Sequence, residues 1–201
     1  MIQARDALRG AGGSRVPCGD CTGCCTSSYS IEVRPTDAAA LERIPAQSLF
    51  RSLRSAAGNW TVRPNAAGAC PMLSCGKCTI YAQRPQTCLD YDCRVFAAAG
   101  IEAGGADKEV INRRVRQWRF RFTTTADQQA YAAIGAAAAF IREARAQFPP
   151  GTAPANALGI AALALRVYAV FMPPGPTGSA ADIARSVVAA GEAFDLRRAC
   201  T

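Results

Sequence analysis

Apolar and polar residues alternate through Tyr29, Ser30, Ile31, Glu32 and Val33, the period of a half-buried strand, and Pro35 closes the run. Thr36 or Asp37 then offers a cap for a helix that carries Ala38, Leu41 and Ile44, and Pro45 interrupts it. The pattern predicts a second helix over 47–57, closing at Gly58, and a short extended piece at Trp60–Val62. Residues 97–106 read AAAGIEAGGA, which predicts a linker. Beyond it the period becomes helical. In 107–122 the apolar stripe Ile111, Val115, Trp118 and Phe122 recurs at spacings of four, three and four. The alternation of Trp118, Phe120 and Phe122 offers a strand as the second reading. Thr125, Ala126, Asp127 and Gln128 fit a capping box that opens a helix to about 147. Pro149, Pro150 and Gly151 stop that helix. Two more are expected over 156–171 and 179–198, the latter with Asp182 in its first turn.

These elements predict a mainly α protein. An irregular, cysteine-rich metal-binding lobe with short β pieces packs on a C-terminal helical bundle. The expected organisation is a flexible N-terminus over 1–14, a cysteine-cluster domain over 15–95, and a helical region over 106–201 packed as one unit with it.

Composition narrows the chemistry. The chain has 201 residues, half of them hydrophobic and 19% charged, a globular profile. It holds ten cysteines and no histidine. The missing imidazole removes Ser-His-Asp and Cys-His catalysis and every Cys2His2 zinc site. A soft-metal site here must be built from thiolates, or from thiolates and carboxylate. Ten cysteines imply disulfides in a secreted protein, and ligands or redox groups in a cytosolic one. The first thirteen residues, MIQARDALRGAGG, carry no apolar stretch of signal-peptide length, which favours a cytoplasmic, reducing location. No uncharged window of about twenty apolar residues exists, so no membrane span is expected. The nearest, 155–172, contains Asn156, Gly159 and Arg166. The formal net charge is +8. Ionised metal-bound thiolates would offset much of it.

The cysteines fall into two runs. In the first, Cys18, Cys21 and Cys24 form two overlapping CxxC units, with Cys25 directly after. CxxC spacing lets two thiolates converge across a tight turn, and Gly19 and Gly23 are expected to permit that turn. Neighbouring side chains tend to point apart, so Cys24 and Cys25 are not expected to be equivalent ligands of one ion. The reading prefers a polynuclear or double site. The second run holds Cys70, Cys75, Cys78, Cys88 and Cys93, spaced five, three, ten and five apart. It can supply the remaining ligands. Arg84 can stabilise thiolate or cluster charge, while Tyr81 and Tyr91 can shield the site and donate to sulfur. For both tyrosines, core packing is the competing role. Asp20, Asp90 and Asp92 flank the cysteines and read by default as loop acids or caps.

The two runs together carry a resemblance. Cys18 to Cys25 spells CxxCxxCC, and Cys78, Tyr81, Arg84, Pro85, Cys88 and Tyr91 spell CxxYxxRPxxCxxY. This is similar to the YkgJ-like cysteine-cluster family, and flagellin lysine N-methylases share a related pattern. The match covers about 15–95. Cys70 with Leu73, and Cys93, also fit it, whereas Cys75 and Cys200 fall outside. The resemblance implies zinc or iron chelation by Cys18, Cys21, Cys24, Cys25, Cys70, Cys78, Cys88 and Cys93. An iron–sulfur cluster, 4Fe-4S first, is preferred and zinc is the alternative. Methyl transfer is implied only weakly, since no S-adenosylmethionine loop is recognisable.

Three classes of function are carried forward. The first is a metal-binding protein whose centre is structural, sensing or electron-transferring. The second is a cluster-dependent protein-modifying enzyme such as a lysine N-methyltransferase. The third is a nucleic-acid binder using Lys108, Arg113, Arg114, Arg116, Arg119 and Arg121. A solvated helix face is the preferred account of that basic stretch. The alanine-rich helices read as core, with a homodimer face or a protein partner as the alternative. The segments around 15–30 and 70–95 hold little apolar content, so the metal is expected to contribute to folding.

Overall fold

The computed structural model describes residue 14 and residues 16–51 and 58–199. The first thirteen residues, expected as a flexible lead-in, lie outside the described residues, as does Cys200.

The first lobe is built on a three-stranded antiparallel sheet. Strand β1 (Ile31–Val33) pairs with β3 (Trp60–Val62), which pairs in turn with β2 (Leu49–Arg51), giving the order β1-β3-β2. Val62 stands opposite Ile31 on one side and Leu49 on the other. Val33 and Val62 are buried and pack with Ala40, Ile44, Met72 and Ile80 into a small core. The helix expected over 47–57 is corrected by β2. The central strand β3 has backbone donors and acceptors on both edges, and Leu49–Arg51 satisfies the second edge, overriding local helical preference. Arg51 also lays its guanidinium over the Trp60 ring at 3.9 Å. Residues 52–57 of that expectation lie outside the described residues.

Helix α1 (Ala38–Leu41) is shorter than its apolar pattern suggests. Asp37 stands at its N-terminus, but its carboxylate accepts from the Arg34 and Gln86 amides at 2.8 and 2.9 Å rather than from its own helix. A two-stranded hairpin follows, β4 (Leu73–Ser74) with β5 (Lys77–Cys78). Its tip, Cys75 and Gly76, has φ of 47° and 70°, as a tight hairpin turn requires. Helix α2 (Gln86–Asp90) packs on β1, where the Thr87 hydroxyl donates to the Glu32 carbonyl at 2.8 Å.

The second lobe is helical. Helix α3 (Arg94–Ala99) buries Val95, Phe96, Ala98 and Ala99, and Ala103 is buried after it. The alanine- and glycine-rich stretch expected as a linker therefore opens inside the core. Small side chains let α3 pack closely between α5 (Thr125–Glu143) and α6 (Ala157–Val167). Helix α4 (Glu109–Gln117) ends earlier than its apolar stripe suggests, because Trp118 turns to extended backbone. Phe120 and Phe122 then both pack on the Tyr131 ring, at 5.2 and 5.0 Å, so this stretch is neither the helix nor the strand that the pattern offered.

The capping box of α5 lies one residue earlier than expected. Thr124 accepts from the Asp127 amide, and the Asp127 carboxylate accepts from the Thr124 amide. Asn156 caps α6 by accepting from Gly159 at 2.8 Å. Helix α7 (Ala180–Ala199) closes on α6 with Ala184, Val187 and Phe194 buried. The chain is thus mainly helical, with a cysteine-rich lobe carrying short strands. Among the described residues, no helix is long and apolar enough to cross a membrane.

Candidate metal centre

The first cysteine run is a loop tied at both ends. The Ser14 amide donates to the Leu89 carbonyl at 2.6 Å, and its hydroxyl donates to Asp92 at 2.5 Å. Asp92 is buried and bound by Arg94 at 2.6 Å. At the other end the Cys70 amide donates to the Cys25 carbonyl at 2.7 Å. Two stretches far apart in sequence are therefore joined by backbone hydrogen bonds.

Two glycines shape the loop differently. Gly19 has φ of +57°, which a side chain would strain. Gly23 has ordinary backbone but lies against helix α4. A Cβ there would stand 3.1 Å from Ile111 Cγ1 and 3.3 Å from its Cα. Gly23 is needed for close approach, not for the turn.

Residues Gly23–Cys25 form a turn of 3-10 helix. Three residues per turn set successive side chains about 120° apart rather than on opposite faces. The Cys24 and Cys25 sulfurs stand 4.0 Å apart and both face the same cavity, which corrects the expectation that they point away from each other.

That cavity measures about 380 Å³. Its wall includes the six cysteines of the CxxCxxCC and CxxYxxRPxxC segments, Cys18, Cys21, Cys24, Cys25, Cys78 and Cys88, together with Cys70 and Cys93 that flank the second. Cys88 comes from α2, Cys78 from β5, Cys70 from the loop before β4, and Cys93 from the N-terminus of α3. Cys75 is absent from the lining and exposed at the hairpin tip. Every described cysteine is a free thiol.

The cavity lies between the two cores. Cys93 belongs to the buried cluster of the helical lobe, while Cys70 and Cys78 pack against the cluster of the sheet lobe. Ile111 lines it from one side, and Val62, Met72 and Ile80 from the other. Among the described residues, no three cysteine or acidic side chains are close enough together to grip a single ion. The sulfurs line walls rather than meet at a point.

Electrostatics follow from that convergence. Burial and the neighbouring Cys24, Cys70 and Cys78 sulfurs push the Cys88 thiol up to about 12. Burial also raises Cys18, with Cys24 and Cys21 adding to it, and raises Cys70, with Cys78 and Cys24 adding to it. Cys24, although exposed, is raised chiefly by its contact with the Cys25 sulfur. Such thiols lose their protons together only when positive charge arrives among them. Arg84, Arg114 and Lys77 are cations on the wall.

The flanking side chains divide. Arg84 donates to the Tyr81 carbonyl at 2.8 Å and stacks over the Tyr81 ring at 4.0 Å. Tyr81 is 56% exposed, so it stands at the rim and not in a shielding position. Tyr91 packs on Tyr29, with ring centroids 5.4 Å apart, and burial keeps its phenol protonated. Its hydroxyl donates to Tyr29 rather than to sulfur. Asp90 accepts from Gln86 at 2.7 Å. Burial alone would raise the Asp92 carboxyl, but hydrogen bonds from Arg94 and Ser14 outweigh it and hold it below the usual range. Asp92 is thus a structural anchor beside Cys93.

Two side chains at the site had been assigned other work by the sequence pattern. Trp118, counted as apolar stripe, donates its indole N–H to Cys93 Sγ at 3.3 Å. Arg114, counted in a solvated basic face, lines the cavity and donates to the Pro17 carbonyl at 2.8 Å. The rest of that face includes Arg116, paired with Glu102 and Glu109 at 2.5 and 2.6 Å, and Lys108, which reaches the Ser27 carbonyl and lies 4.4 Å over the Tyr29 ring.

Eight sulfurs in a partly buried cavity, with the Asp20 carboxylate also on its wall, fit a thiophilic metal. Comparison with known proteins agrees on metal chelation. Residues 17–112 match the model of the CxxCxxCC family, whose description is "putative zinc- or iron-chelating domain". No curated protein and no solved structure matches the chain.

Proposed function

We propose that this CxxCxxCC domain holds a polynuclear metal centre, an iron–sulfur cluster of the 4Fe-4S type in preference to zinc, and that the centre joins the two lobes. The observation that carries the reading is the single cavity lined by eight thiols from both cysteine runs. One tetrahedral zinc uses four ligands, and Zn–S bonds of about 2.3 Å set its sulfurs about 3.8 Å apart. The Cys24–Cys25 spacing of 4.0 Å suits such a contact. One 4Fe-4S cluster also takes four thiolates, so eight thiols exceed either single centre in number; the room of about 380 Å³ and the spread of the sulfurs along its walls favour a cluster or a double site over one ion.

When bound, the group would supply positive charge to the sulfurs and, if it contains iron, a one-electron couple. The protein's share is separable. Cys93 would hold the centre to the helical lobe, and Cys70 and Cys78 to the sheet lobe. Cys18, Cys21, Cys24 and Cys25 would bridge them from a loop fixed at Ser14 and at the Cys70 amide. The aliphatic wall of Ile111, Met72 and Ile80 would keep bulk water from the sulfurs. Arg84, at the rim, would offset part of the negative charge. Thiols must stay reduced for this, as they do in the cytoplasm.

The test is anaerobic purification followed by measurement of iron, acid-labile sulfide and zinc per chain. Iron with sulfide in near-equal amounts supports the cluster. Zinc alone in protein kept from air throughout selects the alternative. Absence of iron, sulfide and zinc from the folded protein would overturn the reading.

A further inference from the structure

The segment that matches the family ends at residue 112, yet helix α4 continues past it. Arg114 and Trp118 stand four residues apart, one helical turn, and their side chains touch. The Arg114 guanidinium lies 4.5 Å from the centre of the Trp118 ring. Arg114 lines the sulfur-lined cavity itself, whereas Trp118 lies behind it and reaches it through Cys93. Trp118 Nε1 donates to Cys93 Sγ at 3.3 Å. Arg114 Nη2 donates to the Pro17 carbonyl, next to Cys18, at 2.8 Å. Arg114 Nε is buried with no hydrogen-bond partner, although the side chain lines the cavity.

An unpaired buried N–H of a guanidinium is costly. The side chain lines the cavity that the thiols line, so a metal-bound sulfur there would be an acceptor for it. Cys93 is the one described cysteine that is buried, so the single N–H it receives acts with little competition from water.

We infer that Arg114 and Trp118 are paired positioning residues of the metal centre, which donate N–H groups toward its sulfurs and set how firmly the metal is held. This rests on the proposed metal-binding function. A donor to thiolate sulfur spreads its negative charge and fixes its direction. Partners of this kind, when removed, typically cost about 10–100-fold in metal affinity. Trp118→Phe keeps an aromatic ring but removes the donor. Arg114→Lys keeps the charge but removes Nε.

The experiment uses the full chain loaded anaerobically with zinc, or with iron and sulfide, whichever the wild type retains. Metal loss to an excess of chelator is timed for wild type, Trp118→Phe and Arg114→Lys. Separately, the indole N–H resonance of Trp118 is followed by nuclear magnetic resonance, assigned as the one of the two tryptophan signals that remains in Trp60→Phe. The expected result is release at least about tenfold faster in Trp118→Phe, with a smaller increase in Arg114→Lys. The Trp118 resonance should also shift in Cys93→Ser and on metal loading. Wild-type release rates in both variants, with the native circular dichroism spectrum, would overturn the inference. Should Trp118→Phe not fold, Arg114→Lys and the resonance shift in Cys93→Ser decide, and a Trp118 resonance unmoved by both Cys93→Ser and metal loading overturns it. Wild-type protein that retains no metal refutes the proposed function instead, a result the wild-type metal content reads alone.

Discussion

In the helical lobe, Phe96, Ile141, Leu165, Val167 and Phe194 are buried to within 1% of complete, and α3, α5, α6 and α7 surround them. In the sheet lobe the buried cluster is Val33, Ala40, Ile44, Val62, Met72 and Ile80. The strands above it are two or three residues long. The helical lobe can offset the entropy of ordering by burial. The sheet lobe has too little apolar area for its number of turns. Small units of this kind commonly depend on a metal or on disulfides. The contrast explains why the thiols come mainly from the weaker lobe and its loops, while Cys93 alone belongs to the stronger core.

The largest effect expected from breaking this contrast is metal removal. Structural thiolate sites contribute on the order of 10 kcal/mol to the folding of small domains. Stripping the metal under reducing conditions should abolish hydrogen-exchange protection in β1, β2, β3 and the β4–β5 hairpin, while α5 and α6 stay protected. Equal loss in both lobes would show that the helices depend on the centre as well.

A cavity in the helical core is the converse probe. Leu165→Ala should cost about 2–5 kcal/mol, read by urea unfolding of the loaded protein. Metal content per folded chain should not change. A loss of metal would mean that the two lobes fold as one cooperative unit.

The third effect depends on pH. Cys93 belongs to the helical core, which is expected to stay folded without metal, and is raised from 9.0 to about 11, mainly through burial. A raised folded pKa favours the neutral thiol, so its contribution is fully present below about 9 and is lost as pH climbs through the folded value. The helical lobe of metal-free protein should therefore weaken between pH 9 and about 11, and loaded protein should not, because its sulfurs are already deprotonated. Thermal unfolding at stepped pH reads the difference.

The smallest effect sharpens the boundary of the site. Cys75→Ser should leave metal content unchanged and shift stability by no more than about 0.5 kcal/mol. A drop in bound metal would bring Cys75 into the site despite its exposed position.

The cysteine-rich part of the fold was legible because CxxC spacing is itself a geometric statement, and β3 because Trp60–Val62 is short, apolar and β-prone. The region of the helices α5, α6 and α7 was legible from caps and prolines, although the α5 cap fell at Thr124 rather than Thr125. What failed depends on partners distant in sequence. Leu49–Arg51 becomes a strand only because β3 has a free edge. The alanines of 97–99 look like a linker until α5 and α6 close around them. Arg114 and Trp118 were visible as a basic residue and an apolar one. Their part in the site follows from where α4 stops and how its end meets Cys93, which no periodicity encodes.

In the shorthand CxxCxxCC the letter x stands for any residue. At position 23 it does not. A Cβ there would stand 3.1–3.3 Å from Ile111, so any side chain must push back a helix eighty-eight residues away by a few tenths of an ångström. A library that randomised the spacers while keeping every cysteine would be depleted at this position, and the lost variants would be those in which α4 no longer seats against the loop. The cysteines alone are an incomplete specification of the site, and the blank letters between them carry part of the address.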